Sequence, residues 1–344
     1  MNHSQPNNQP PQIVQAFRTW QEQSRLIERL QIGFILGPPK TGTSWVTSTL
    51  HAHPNAIARG EGHLPTRLIP ALQQAFQTYT NAQVGTKRSS DKPPAAWLTP
   101  GDSDFLLLAR QACDRMFMRY IATCPPATKQ RISAVLDKTP DNARHMDLLA
   151  TLYPWARFVC VTRDVRDTAV SSWFHRKLLG DTGPFKDINE FAPAFAHDVW
   201  APMMWLARRT GSRLGPNHYT EISYEHYKAD PHTQVERLLR FLNLAADQDH
   251  VGTCVAAADF KQQSGRAAGN EDASFFRKGV VGDWRNHLTE AVAAETVRVA
   301  DEILSREFEP GSGRNALSPH DNILHDTAPA DTAPTPAPAT TNAA

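Results

Sequence analysis

Short apolar runs alternate with segments of helical periodicity over most of this chain. The apolar runs, typical of strands buried on both faces of a sheet, cover residues 32–36, 132–139, 156–164 and 218–224, and a shorter one begins at 56–57. Helical periodicity covers residues 14–30, 43–50, 105–121, 141–152, 165–178 and 232–242. This alternation predicts an α/β fold, a P-loop-like parallel β-sheet flanked by helices on both faces, with ligands at the carboxyl ends of the strands.

Composition changes along the chain and predicts three segments. Residues 1–30 form an N-terminal extension, at first disordered because residues 1–12 are rich in Asn, Gln and Pro, and then helical. Residues 31–309 form the main domain, in which the Gly-, Pro-, Ser- and Lys-rich stretch 85–104 is expected to be a mobile lid or binding loop. Residues 310–344 are rich in Pro, Ala and Thr, and we expect a disordered tail.

Charge and cysteine content narrow the classes of function. The 36 basic and 35 acidic residues leave a formal net charge of +1, which gives no overall attraction to nucleic acid or to an acidic membrane surface. Any anion site must therefore come from local clusters of cations. The four cysteines show no metal-type spacing and are expected to be reduced thiols. No targeting segment and no membrane span is visible, so we expect a cytoplasmic protein.

The sequence IGFILGPPKTGTSW, residues 32–45, joins a predicted strand to a helix through a glycine-bearing loop. Such loops hold phosphate because their backbone N–H groups and the positive end of the helix dipole point at the anion. In the nucleotide P-loop a lysine follows the second glycine, but here Thr43 stands there and the lysine lies inside the loop, at Lys40. This displacement argues against Mg-dependent hydrolysis of a nucleoside triphosphate. The alternative interpretation is a solvent-facing turn before an ordinary helix.

Two further segments carry cations that could face the same anion. Arg163 ends a predicted strand and Ser171 follows two turns into the next helix, which places a guanidinium and a hydroxyl beside the first loop. Arg277 and Lys278 stand next to Gly279, whose backbone can approach a ligand closely. Each segment alone could equally be a charged helix start or a basic surface turn. Together, the three segments predict separate cationic contacts for one small polyanion.

These motifs, PKTGTSW, the pair Arg163 and Ser171, and RKGVVGDW, resemble the sulfotransferases that use 3′-phosphoadenosine 5′-phosphosulfate (PAPS). The resemblance covers most of residues 32–290 and implies in-line transfer of the sulfuryl group from PAPS to an acceptor hydroxyl, without a metal ion. The residues that match the family's first loop, which binds the 5′-phosphosulfate and whose tryptophan stacks on adenine, are Lys40, Thr41, Gly42, Thr43, Ser44 and Trp45. The residues that match its contacts to the 3′-phosphate and the base are Arg163, Ser171, Tyr224, Phe260, Arg277, Lys278 and Gly279. Ala258 replaces a threonine of the family, which removes one expected hydrogen bond to adenine.

The acceptor hydroxyl must lose its proton as it attacks, which requires a base within hydrogen-bond reach. In the cytosolic enzymes of the family a histidine follows a Lys-Thr pair, but here Pro140 takes that place. The stretch HAHPNAIARGEGHLPTRLIP resembles the tyrosylprotein sulfotransferases, whose base is a glutamate in a Gly-Glu context, and Glu61 matches it. Lys138 matches the lysine of the family's Lys-Thr pair, which implies that it stabilises the transferring sulfonate. We expect Lys40 to offset charge on the leaving phosphate.

Several alternatives stay open. His63 and His175 are the other candidate bases. A P-loop kinase or NTPase is one alternative function, because Asp137 ends a predicted strand where a magnesium-binding carboxylate could stand. A non-catalytic nucleotide-binding protein is another. The acceptor, of small or medium size, is undefined, and aromatic residues within 180–209 could line its pocket or form ordinary helix core. RNHLTEAVAAE departs from the family's dimer motif, which leaves the oligomeric state open.

Overall fold

A computed structural model describes residues 12–84, 102–269 and 277–306, with side chains omitted for residues 80–84. Its strands are β1 Gln31–Leu36, β2 Ala56–Gly60, β3 Ala134–Lys138, β4 Arg157–Thr162 and β5 Tyr219–Ser223. They pair in parallel, in the order β2-β3-β1-β4-β5. The predicted α/β class with a parallel sheet is confirmed, because each apolar run of the sequence forms a strand.

The helices of the described ranges connect these strands and cover both faces of the sheet. They are α1 Gln12–Arg29, α2 Thr43–His51, α3 Ile69–Val84, α4 Ser103–Ala122, α5 Pro126–Lys129, α6 Met146–Leu152, α7 Val165–Leu178, α8 Ile188–Phe195, α9 Ala201–Leu214, α10 Tyr224–Ala229, α11 Pro231–Phe241, α12 Gln248–Ala257, α13 Phe260–Ser264 and α14 Glu290–Leu304. Two π-helical turns, Leu64–Leu68 and Ala196–Trp200, and two 3₁₀ turns, Pro140–Arg144 and Asp283–Asn286, complete them.

One predicted helix is divided. Residues 141–152 form a 3₁₀ turn followed by α6, and the break lies at His145, whose φ of −123° is not helical. The carbonyl of Pro140 also accepts a hydrogen bond from the backbone N–H of Gly37 at 3.3 Å. The prediction of one continuous helix over residues 141–152 was therefore wrong, because the non-helical backbone of His145 divides it.

Successive side chains of the central strand β1 enter two separate cores. Phe34 faces a cluster that includes Phe117, Tyr153 and Phe158, with the ring centroids of Phe34 and Phe158 5.4 Å apart. Ile35 faces the opposite cluster. Because both faces are buried, the strands contain consecutive apolar residues rather than an alternating pattern.

The aromatic residues within 180–209 belong mainly to the first core. Phe191, Phe195 and Trp200 are buried there, while Phe185 and Trp205 pack against it, so these residues belong to the packed core. All four cysteines are free thiols, and three of them are buried. No helix in the described ranges combines the length and apolar character needed to cross a membrane.

Three predicted segments fall wholly or mostly outside the described residues. They are the polar N-terminal stretch, the loop at 85–104 and the tail from residue 310. The division of the chain at residues 30 and 309 stays a prediction.

Candidate active site

The loop between β1 and α2 passes through positive backbone φ angles. The φ values of Gly37, Lys40 and Gly42 are 133°, 69° and 107°. The Thr41 hydroxyl donates to the carbonyl of Pro38 at 2.8 Å and closes the turn. Gly42 is the N-cap residue of α2 and has no side chain with which to cap the first N–H groups of that helix. These N–H groups and the helix dipole together make this end of α2 suitable for an anion.

The first turn of α2 carries the other residues of the predicted loop. Thr43 is buried and Ser44 is half-buried. The indole Nε1 of Trp45 donates to the carbonyl of Ala258 at 2.5 Å, and its ring lies edge-on to Tyr224, 5.3 Å between centroids. The carbonyl of Ala258, at the position where the family has threonine, therefore holds the tryptophan in place.

The remaining predicted aromatic residue, Phe260, lies against the third cationic segment, which contains Arg277, Lys278 and Gly279 and is called the third segment below. A Cβ atom added to Gly279 would come within 2.5 Å of the Phe260 ring, and Gly279 has a φ of 68°. Glycine is therefore required here for both space and backbone conformation. Since Phe260 follows Ala258 by two residues, the Trp45 indole contacts the same short segment that carries the Phe260 ring.

Arg163, at the end of β4, joins the first loop to the third segment. Its guanidinium donates to the carbonyl of Lys40 at 3.4 Å and to that of Val280 at 3.0 Å, and it lies 4.4 Å from the centroid of the Tyr224 ring. Its Nε is buried and has no hydrogen-bond partner among the described residues. A buried donor of this kind fits a phosphate oxygen. The structure thus brings the three cationic segments of the sequence into contact.

The cations of the third segment surround one carboxylate. Asp283, 3% exposed, accepts from Lys278 Nζ at 2.7 Å, from Asn286 at 2.9 Å and from the guanidinium of Arg277, and it lies 3.2 Å from His287 Nε2. Burial by itself would raise the pKa of Asp283, but the hydrogen bonds from Lys278 and Arg277 hold that pKa well below its usual range.

A second buried carboxylate attaches this segment to α7. Asp167 accepts hydrogen bonds from the backbone N–H groups of Gly282 at 2.7 Å and Trp284 at 2.9 Å. Its Oδ2 is also 3.9 Å from the Arg163 guanidinium. Ser171 is half-buried one turn further along α7. Asp167 was not among the site residues predicted from the sequence.

The predicted base and its partners lie at the ends of two neighbouring strands. Gly60, the last residue of β2, pairs with Lys138, the last residue of β3. Glu61 therefore follows directly after β2, beside the end of β3. Lys138 Nζ donates to Glu61 Oε1 at 2.6 Å, and His63 Nε2 is 3.2 Å from Glu61 Oε2. The Glu61 side chain is 33% exposed, against 9% for Lys138. Of the two alternative bases, His63 contacts Glu61, whereas His175 belongs to α7.

Asp137 is buried beneath this group and is held by neutral donors. Its Oδ1 accepts from Gly62 N at 2.8 Å and Tyr120 Oη at 3.2 Å, and its Oδ2 accepts from Thr139 Oγ1 at 2.9 Å and Asn142 Nδ2 at 3.1 Å. Burial raises the pKa of Asp137, and these hydrogen bonds oppose the rise. Protein groups donate two hydrogen bonds to each oxygen of Asp137. This arrangement favours a structural role for Asp137 over that of a magnesium ligand in a kinase.

Comparison with known proteins gives the family. The family model described as "Sulfotransferase family" matches residues 34–249. Cytosolic sulfotransferase 6 of Arabidopsis thaliana is 30% identical over 153 residues, which are 39% of this chain and 46% of the relative. Human sulfotransferase 2B1 is 26% identical over 149 residues, 40% of this chain and 41% of the relative. This chain thus spans about half the length, or less, of these curated relatives.

Two solved structures overlap with most of the chain. Mouse sulfotransferase SULT7A1 complexed with PAP has a TM-score of 0.47 at 16% identity, and the overlap covers 79% of this chain and 82% of that one. Retinol dehydratase with androsterone and the inactive cofactor PAP has a TM-score of 0.45 at 15% identity, covering 84% and 86%. Because the family model matches more than half of its residues, this chain belongs to the sulfotransferase family.

Proposed function

We propose that this protein transfers the sulfuryl group of PAPS to a hydroxyl of a small or medium-sized acceptor. The observation that carries the proposal is the position of Arg163, which donates to the carbonyls of both Lys40 and Val280. It thereby holds together two segments whose cations suit the two anionic ends of one nucleotide. PAPS carries roughly three to four negative charges divided between its 5′ and 3′ ends. Membership of the sulfotransferase family supports the same assignment.

The first loop takes the 5′ end of the nucleotide. Its backbone N–H groups at the uncapped start of α2, with the side chains of Thr41, Thr43 and Ser44, hold the phosphosulfate, and Gly42 gives the backbone room to approach it. Lys40 offsets the charge that grows on the bridging oxygen as the S–O bond to the phosphate breaks. Trp45 supplies an aromatic surface for the base.

The third segment, with α7, takes the 3′ end. Arg163, Arg277 and Lys278 provide charge-assisted hydrogen bonds to the 3′-phosphate, and Ser171 provides a hydroxyl. Gly279 lets the backbone approach the phosphate, and its contact with Phe260 joins this end to the adenine site. Tyr224 packs against Trp45 and Arg163 and contacts the base.

The chemistry takes place at the ends of β2 and β3. The acceptor oxygen attacks the sulfur in line with the leaving phosphate, so that a new O–S bond forms while the old one breaks. Glu61 takes the proton of the acceptor hydroxyl, and Lys138, 2.6 Å from Glu61, stabilises the negative charge on the equatorial sulfonate oxygens. His63 contacts the second oxygen of Glu61 and is the alternative base.

The test is calorimetry with 3′-phosphoadenosine 5′-phosphate (PAP), followed by turnover of labelled PAPS with a panel of phenols, alcohols, sugars and peptides. We expect PAP to bind with a Kd in the micromolar range or tighter and labelled sulfate to appear on one acceptor class. A protein that binds PAP but consumes no PAPS with any acceptor would be a binding protein. Mg-dependent ATP turnover without PAP binding would overturn the assignment.

A further inference from the structure

The two cations proposed for the 3′-phosphate share a single buried carboxylate. Lys278 Nζ donates to Asp283 Oδ1 at 2.7 Å, while Arg277 pairs with Asp283 Oδ2. Since each cation uses a different oxygen of the same group, the ammonium and the guanidinium are held side by side. Two further side chains contact the same carboxylate, Asn286 at Oδ1 and His287 at Oδ2.

The surroundings of the pair limit how far these side chains can turn. The Arg277 guanidinium lies 4.6 Å from the centroid of the Phe174 ring, on α7. The backbone carbonyl of Lys278 accepts from Gly269 N at 2.9 Å, which holds the main chain of the segment. The exposed fractions of the Arg277 and Lys278 side chains are 12% and 20%. Asp283 is therefore placed to orient both cations toward one ligand group.

We propose that Asp283 is a positioning residue that sets the spacing of Arg277 and Lys278 for the 3′-phosphate and so determines selectivity for 3′-phosphorylated nucleotides. This inference rests on the proposed function. Asp283 does not touch the nucleotide, and acts only through the two cations. Its loss removes the geometry that lets both contact one phosphate, although it also removes a negative charge near that phosphate.

These two consequences have opposite signs, which makes the inference testable. If net charge dominated, removing Asp283 would strengthen the binding of a dianionic phosphate. If positioning dominates, the same change weakens it, because two long and flexible side chains must then be ordered by the ligand itself. The relevant quantity is the ratio of the Kd of AMP to that of PAP, which isolates the contribution of the 3′-phosphate.

The experiment measures this ratio by calorimetry for the full-length protein and for Asp283→Asn. We expect the ratio to fall by about tenfold or more in Asp283→Asn, with the affinity for AMP changed less than about threefold. In steady-state assays the variant should raise KM for PAPS more than it lowers kcat, since it weakens binding in the ground state and the transition state alike. An unchanged or larger ratio overturns the inference.

Three additional variants make the result specific. In an Arg277→Gln, Lys278→Gln background, Asp283→Asn should change the ratio by less than about twofold, because its effect passes through those cations. Glu295→Gln, which removes a carboxylate from an exposed pair with Arg298, is the matched control and should leave the ratio unchanged. If Asp283→Asn melts below the assay temperature, Asp283→Glu applies the same criterion. It displaces the carboxylate by one methylene, and an unchanged ratio there also overturns the inference.

Failure of the proposed function has a different signature. If the unmodified protein bound neither AMP nor PAP, the nucleotide assignment itself would be wrong. If it preferred PAP over AMP and Asp283→Asn kept that preference, only the role of Asp283 would be wrong.

Discussion

The two ends of the candidate site are each built around a buried aspartate, but the partners differ. Asp137, at the end proposed for the acceptor, accepts hydrogen bonds from an amide, a phenol, a hydroxyl and a carboxamide. Asp283, at the end proposed for the nucleotide, is surrounded by Arg277, Lys278 and His287 as well as Asn286. Burial raises the pKa of Asp137, whereas cationic hydrogen bonds lower that of Asp283 against the same effect of burial.

This difference separates a structural role from an electrostatic one. Asp137 lies next to Lys138 at the end of β3, and its carboxylate binds the backbone N–H of Gly62, which is next to Glu61. Asp137 thus fixes, through the backbone, the distance between the proposed base Glu61 and Lys138, the proposed contact to the sulfonate. Asp283 acts directly on two cationic side chains. Substitutions should therefore affect stability and turnover at the first end, and ligand affinity at the second.

The largest effect is expected for Glu61→Gln. Turnover should fall by about 10²–10⁴-fold because the acceptor loses its general base, while the Kd of PAP stays within about twofold of the original value. Rates are measured with labelled PAPS and binding by calorimetry. His63→Gln is the matched comparison, for which we expect a smaller loss. Near-normal rates in Glu61→Gln together with inactive His63→Gln would assign the base to His63.

Asp137→Asn should chiefly reduce stability. The amide nitrogen of the new side chain would face two of the four donors, and we expect the free energy of unfolding to fall by about 2–4 kcal/mol, as measured by urea denaturation. Glu295→Gln, at an exposed ion pair, should change it by less than about 0.5 kcal/mol. An Asp137→Asn protein as stable as the original would contradict the structural role of Asp137.

The two ends can also be compared through their glycines. A Cβ atom at Gly62 would lie 2.5 Å from Asp137 Oδ1, and one at Gly279 would lie 2.5 Å from the Phe260 ring. Gly279→Ala should weaken PAP binding by about tenfold, because it also strains a backbone with positive φ. Gly62→Ala should instead lower the melting temperature and the turnover with little change in PAP affinity. The same response from both variants would remove the distinction between the two ends.

The smallest effect is in the pH dependence of stability. The folded-state pKa of Asp283 is lowered, so its stabilising contribution is present above the unfolded value of about 4 and is lost as the pH falls below it. The destabilisation of Asp283→Asn relative to the original protein should therefore shrink below about pH 4.

Asp137 should show the opposite sign. Its folded-state pKa is raised, so ionisation costs stability as the pH rises through the unfolded value, and the original protein gains relative to Asp137→Asn on acidification. Urea denaturation at a series of acidic pH values gives the difference in unfolding free energy between the original protein and each variant, and the slope of that difference against pH. We expect the two slopes to have opposite signs, and the two differences to diverge by about 1 kcal/mol over the acidic range. Slopes of the same sign would contradict the assigned environments.

The fold was predictable because strands buried on both faces leave a continuous apolar signal. The contact between the three cationic segments was also predictable, since glycine-bearing loops and Lys or Arg at strand ends are local patterns, while their role in binding a nucleotide stays a prediction. The carboxylates that organise them were not. Asp167 meets Gly282 across 115 positions of the chain, and nothing in its local sequence reveals that contact. Asp283 stands within the RKGVVGDW motif, but only the three-dimensional structure shows which cations it contacts.

The start of α2 has a consequence for the resistance of the folded protein to proteolysis. Because Gly42 has no side chain to cap this helix, a bound nucleotide would supply acceptors to its first N–H groups as a capping residue does elsewhere. Binding of the proposed sulfuryl donor would then slow proteolysis of the protein, since a ligand that binds only the folded state shifts the folding equilibrium by mass action.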